Sequence, residues 1–125
     1  MALKKLTTLL VVDAIEPCLP TWQQLGYTVT VRVPETGTAG FVILNGPAGE
    51  LMLQTRASLA DDLPAVAALR PSHVLYADVA SLETEKAALP GAKVLVAHRK
   101  TFYGANEAWL QLEGGTILGL SEHAG

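Results

Sequence analysis

The sequence predicts an α+β fold of two tandem βαβββ modules whose sheets form a shared cleft, within a single domain over residues 1–125. Three observations carry it. Short runs alternate apolar and polar residues at the period of two that marks a half-buried strand. The order of one strand, one helix and three strands runs once to residue 55 and restarts near residue 72. Glycine landmarks repeat with that order: Gly26-Tyr27-Thr28-Val29 answers Gly91-Ala92-Lys93-Val94, and Gly49-Glu50-Leu51-Met52-Leu53 answers Gly115-Thr116-Ile117-Leu118-Gly119, at offsets of 65 and 66 residues. Eleven glycines allow coincidences, so the weight rests on strand order and helix placement repeating with them. Each module would cover one sheet face with its helix and turn the other toward the cleft.

Module one covers about residues 5–55. Leu6–Val12 is β-rich and stops at Asp13, which is placed to N-cap a helix running from Ala14 through Trp22 to Leu25, with Pro17 or Pro20 forcing the first turn late. Gly26 closes that helix as its C′ residue. Tyr27–Val33 sets Tyr27, Val29, Val31 and Val33 against Thr28, Thr30 and Arg32, a strand with one wet face. After a loop over 34–38 come strand Phe41–Leu44, an Asn45-Gly46 hairpin turn and strand Leu51–Thr55. Residues 56–71 form a connector in which Leu59, Leu63, Val66, Ala67 and Leu69 line one side of a short helix broken by Pro64.

Module two covers about residues 72–122: strand Val74–Val79, a helix from Ser81 through Leu89, strand Lys93–His98, a charged and aromatic loop, strand Glu107–Leu112, a Gly114-Gly115 turn and strand Thr116–Leu120. In the last hairpin Glu107, Trp109 and Gln111 share a face that is expected to meet solvent or a ligand. Ala108, Leu110 and Leu112 share the face expected to meet core.

A chain of 125 residues can bury a core without a metal or disulfide staple. Half of the residues are apolar and 17% charged, a globular composition whose apolar excess suggests a buried interface. Nine basic residues against twelve acidic ones give a net charge of −3, and the basic ones are spread along the chain, so nucleic acid is not an expected partner. Cys18 is the single cysteine, which excludes an internal disulfide and fits a reducing, cytoplasmic setting. Met1–Val12 carries two lysines before an apolar run, but that run is short, holds Thr7 and Thr8 and lacks a small-residue cleavage site, so it reads as a strand. No stretch approaches the roughly 20 consecutive apolar residues of a membrane span, and no membrane partner is expected.

Leu9-Leu10-Val11-Val12-Asp13 leading to Trp22 and Leu25-Gly26-Tyr27, and Tyr103-Gly104 leading through Gly114-Gly115 to Thr116-Ile117-Leu118-Gly119-Leu120, resemble landmarks of the vicinal oxygen chelate (VOC) superfamily. That superfamily includes glyoxalase I, the fosfomycin and bleomycin resistance proteins and extradiol dioxygenases. The resemblance covers about residues 5–122 and implies the VOC fold and a homodimer. Its metal enzymes hold a divalent ion with a His in the first strand of each module and a Glu in the fourth. Carried onto this chain, the first His falls on Leu6, the first Glu on about Met52 and the final Glu on Gly119, none of which binds a metal. His73 stands opposite Leu6 if Val12-Asp13-Ala14-Ile15 is aligned with Val79-Ala80-Ser81-Leu82. Val74 stands there if Asp13 is aligned with Ser81. The resemblance thus implies neither a metal nor another cofactor for this chain.

The residues expected to bind a ligand fall in three groups. Arg99, Lys100, Phe102 and Tyr103, with Thr101 among them, are the densest cationic and aromatic cluster, suited to gripping an anionic or aromatic molecule, although a solvated turn would read the same. Glu107 and Trp109 offer a carboxylate beside a ring. Met52 and Gln54 share a face of the fourth strand with Arg56 just beyond, and His73 or Tyr76 faces the cleft according to register. A methionine is more often core filler, and His73 is more often structural than catalytic. Cys18, between two prolines and with no adjacent base, reads as a buried thiol, and His123 as tail. The leading expectation is a metal-free protein of the bleomycin-resistance kind that binds a planar or aromatic organic ligand in the inter-module cleft. The alternatives are a VOC-type lyase, isomerase or dioxygenase, metal-dependent or working through Glu107 with His73 or Tyr76, and an interaction module serving assembly alone.

Overall fold

The computed structural model describes residues 3–123. The described residues form two compact units: an N-terminal unit, Thr8–His73, and a C-terminal unit made of residues 74–123 together with residues 3–7. In the N-terminal unit the Thr8–Val12 part of β1 (Leu3–Val12) pairs parallel with β4 (Gly49–Thr55), and β3 (Phe41–Gly46) runs antiparallel to both β4 and β2 (Thr28–Val33). The C-terminal unit repeats this arrangement: β5 (His73–Val79) is parallel to β8 (Ile117–His123), and β7 (Ala105–Gln111) is antiparallel to both β8 and β6 (Lys93–Lys100). Each unit is therefore one strand, a helical segment and three strands, the βαβββ repeat legible in the sequence.

One face of each sheet is closed by its own helices. In the N-terminal unit Ile15, Ala39, Val42, Leu44, Leu51 and Leu53 form the cluster, with Leu19, Trp22 and Tyr27 against it. In the C-terminal unit Ala77, Val79, Leu82, Ala108, Leu110, Leu118 and Leu120 do the same, with Leu89 and Leu112 at the margin. Full burial of each such Leu, Ile or Val contributes about 1.5–3 kcal/mol, so these clusters orient the sheets.

Local chemistry moves several boundaries from their expected places. Asp13 caps nothing; its carboxylate is drawn to the Arg56 guanidinium, with Nε 2.9 Å from Oδ1. The chain instead enters a short 3-10 turn (Glu16–Cys18) and then α1 (Leu19–Gln24), each with a proline in its first two positions and no side-chain cap. The hairpin turn lies at Pro47-Ala48 rather than Asn45-Gly46, because Gly46 still pairs across the ladder with Gly49. Gly46 has to be glycine there: a Cβ would sit 2.8 Å from Tyr27 Cδ2.

A bulge between Val29 and Val31 breaks the alternation of β2, leaving Val31 and Val33 exposed and turning Arg32 toward Glu16 and the Pro34 and Gly37 carbonyls. The connector is two helices, α2 (Arg56–Asp62) and α3 (Pro64–Ala67), broken before Pro64. Thr55 caps α2 by accepting from the Ser58 N–H at 3.1 Å. Leu59, Leu63 and Val66 are buried, whereas Leu69 is exposed.

In the C-terminal unit Ser81 caps α4 (Leu82–Ala87), accepting from the Thr84 N–H, and Glu122 Oε1 accepts from the Leu82 N–H at 2.7 Å. The face of β7 expected to be wet is buried: Glu107 is 0% and Trp109 2% exposed. Among the described residues no helix is long and apolar enough to cross a membrane.

Candidate functional site

The face of the C-terminal sheet turned away from α4 collects the polar and aromatic side chains. Strand alternation puts Leu75, Ala77 and Val79 of β5 on the helix side, and so Tyr76 and Asp78 on the other. In register with Tyr76 comes Gly119 of β8, and beyond it Trp109 of β7; Glu107 stands opposite Ser121 on one side and Arg99 on the other. The Trp109 indole lies over Gly119, where a Cβ would come within 2.6 Å of Cη2. The Tyr76 ring follows, 5.9 Å away and tilted by 33°.

Glu107 is the centre of this face. Its Oε1 accepts from Arg99 Nε at 2.9 Å, Arg99 Nη2 at 2.9 Å and Trp109 Nε1 at 3.1 Å. Its Oε2 accepts from the Tyr103 hydroxyl at 2.7 Å and from the Tyr76 hydroxyl. A carboxylate withdrawn from water is tolerated only when it is paired and its lone pairs are filled, and here both conditions are met. The loop after β6 is tied to make this possible. Thr101 N–H donates to the Ala105 carbonyl at 2.8 Å, the Ala105 N–H donates to Thr101 Oγ1 at 2.9 Å, and Gly104 takes a φ of +87°, which brings Tyr103 back over Glu107.

Both phenols titrate above the usual range. Burial pushes Tyr76 far up, and the negative charge of Glu107 adds to it. Burial together with Glu107 pushes Tyr103 up to about 12. The folded pKa lies above the ordinary value of about 10, so the stability these groups contribute is complete below about pH 10 and is lost as pH rises through the folded values. In an absorbance titration of the folded protein, Tyr76 and Tyr103 should stay protonated at pH 10 and ionise only as the protein begins to unfold in alkali. Ionisation of Tyr76 and Tyr103 near pH 10 without loss of structure would contradict the network around Glu107.

Of the residues expected to form the site, Tyr76, Arg99, Tyr103, Glu107 and Trp109 come together. Phe102 is 90% exposed and meets the Tyr103 ring edge-on at 5.1 Å. Lys100 is exposed and pairs in register with Asn106, off the Glu107 face. His73 shares strand parity with Leu75, away from Tyr76, and is exposed with Nδ1 3.1 Å from Ser72 Oγ. Met52 and Gln54 are buried in the N-terminal unit, where the Gln54 amide donates to Ser58. Arg56 lines a separate cavity in that unit. Three residues of this face escaped the sequence reading. Asp78 and Ser121 lie two positions from Tyr76 and Gly119, so strand parity could have found them. His123 belongs to β8 rather than to a tail, with Nε2 3.4 Å from Asp78 Oδ1 and its ring 6.2 Å from that of Tyr103.

The metal arrangement implied by the resemblance does not fit the residues present. Of the positions that the resemblance aligns with metal ligands, Leu6 is an exposed leucine that shares strand parity with Leu10 and Val12 on the helix side, away from Met52; Met52 is a buried thioether, and Gly119 is covered by the Trp109 ring. Among the described residues no group of three His, Cys, Asp or Glu side chains is placed to hold an ion.

No family model matches the sequence, and no curated protein matches it. Solved structures do match in fold. A glyoxalase/bleomycin resistance protein/dioxygenase superfamily member from Vibrio splendidus 12B01 aligns with a TM-score of 0.70 at 16% identity, over 94% of this chain and 97% of that one. A protein from Staphylococcus aureus aligns with a TM-score of 0.68 at 16% identity, over 99% and 100%. A glyoxalase I variant from Zea mays aligns with a TM-score of 0.61 at 16% identity, over 95% of this chain and 42% of that longer one. The chain therefore has the VOC fold.

Proposed function

We propose that this protein binds a planar or aromatic organic molecule at the Tyr103 rim of the Glu107 face, without a metal ion. The observation that carries this reading is the exposed ring cluster of Phe102, Tyr103 and His123, anchored through the Tyr103 hydroxyl to a buried, fully paired carboxylate. Rings offer stacking surface, and anchoring one of them lowers the ordering cost of binding. Arg99 is engaged by Glu107, so the pair offers no net charge to an anion. The two phenols donate to Glu107 and keep acceptor capacity, which favours a ligand whose polar group is a hydrogen-bond donor.

The same geometry argues against acid–base catalysis by Glu107. Both of its oxygens are filled by donors, and His73 sits on the other face of its strand. Ligand sequestration accords with a fold that keeps its shape while Leu6, Met52 and Gly119, the positions the resemblance aligns with metal ligands, carry no histidine or carboxylate. Protein purified without added metal is expected to contain no stoichiometric divalent ion by elemental analysis, and its Tm should not move with chelator, since removal of a bound ion would lower it. About one zinc, nickel, iron or manganese per chain, lost together with stability on chelation, would overturn the metal-free reading.

A further inference from the structure

Arg56 and Arg70, both solvent-exposed, lie on the wall of an open cavity of about 420 Å³ within the N-terminal unit, otherwise lined by Val11, Leu59, Ala60, Ala67 and Pro71. We infer that this cavity is a second small-molecule site, independent of the Glu107 face, which takes a carboxylate carrying a short apolar body. The volume falls in the range of small-ligand pockets, and the lining has their usual composition, an apolar majority with a few polar groups that fix orientation. The polar groups here are both guanidinium ions, whose planar fork matches a carboxylate.

Arg56 is already oriented. Its Nε is held 2.9 Å from Asp13 Oδ1, and Nη1 donates to the Pro71 carbonyl at 3.4 Å. Among the described residues no side-chain partner holds the Arg70 guanidinium, and no carboxylate lines the cavity. Two arginines against Asp13 leave one positive charge, which a monoanion neutralises.

The backbone supplies a second, independent observation. Arg70 follows the turn that comes after α3, its N–H donating to the Ala67 carbonyl at 3.0 Å, with a φ of +50°. That is the left-handed conformation that glycine adopts without steric cost, and Pro71 follows directly. A long cationic side chain kept where glycine would be easier points to a use for the charge, because strained residues of this kind concentrate at ligand sites.

The test uses the full chain with benzoate and its neutral counterpart benzamide, followed by amide chemical shifts. Benzoate should give saturable shifts around Val11, Leu59, Ala67 and Arg70 with a Kd of about 1 mM or tighter, weakening as salt rises, while benzamide gives none. Arg70→Gly removes the charge and relieves the backbone together, so it should weaken benzoate about tenfold while leaving Tm equal or higher. Arg56→Gln should weaken benzoate similarly, and Tyr103→Ala should leave these shifts unchanged. The inference is overturned if no saturable shift appears at millimolar benzoate, if benzamide binds equally, if the shifts map outside the cavity, or if Arg70→Gly binds as the wild type does.

Discussion

Trp109→Ala is expected to destabilise the protein by about 3–5 kcal/mol, the usual cost of emptying a buried aromatic site. The indole is 2% exposed, donates Nε1–H to Glu107 and fills the hollow above Gly119. For a domain of this size the Tm should fall by about 10–20 °C. The converse change should also be costly: Gly119→Ala drives a methyl to within 2.6 Å of the ring, and overpacking of that kind costs about 1–3 kcal/mol. The two effects must be coupled, because the ring is what the methyl meets. In the Trp109→Ala background Gly119→Ala should cost much less, with a coupling of about 0.5–3 kcal/mol by chemical denaturation. Additive costs would mean that the ring does not lie over the glycine.

Glu107→Ala should cost about 3–5 kcal/mol, because it leaves the Arg99 cation, two phenols and an indole N–H without their shared acceptor. Glu107→Gln is the informative comparison. The phenols can rotate to accept from the new amide, whereas Arg99 and Trp109 can only donate and keep the remaining carbonyl. The expected loss is then about 1–3 kcal/mol, and Tyr103 should titrate lower without returning fully, since burial is the larger cause of its shift. Were Glu107 instead a catalytic base facing solvent, Glu107→Gln would leave stability intact and abolish an activity.

The architecture was legible because it rests on local signals: alternation in β7, Ser81 before a helix, the Gly114-Gly115 turn and a repeat at nearly constant offset. What stayed hidden depends on who meets whom. Alternation separated Glu107 and Trp109 from Ala108 and Leu110, but period two cannot tell a wet face from one closed by other parts of the chain. Gly119 looked like a missing ligand position; only the packing shows that a ring occupies it. That Glu107 reaches both Arg99 and Tyr103 stayed hidden, because sequence spacing carries no information about such a contact. The β2 bulge and the Pro47-Ala48 turn were missed because Tyr27 over Gly46 and the ties of Arg32 are tertiary contacts that override local preference.

The most direct test of the central claim is a set of planar aromatic fragments, with and without hydrogen-bond donors, titrated calorimetrically in the presence of chelator. Donor-bearing fragments should bind wild type with the same Kd whether chelator or divalent metal is present. Tyr103→Ala should weaken them about 2- to 10-fold beyond the loss of contact area, the worth of one stacked ring, while Cys18→Ala leaves them unchanged. Binding that appears only with added divalent metal, or that survives Tyr103→Ala undiminished, would contradict a metal-free aromatic site on this face.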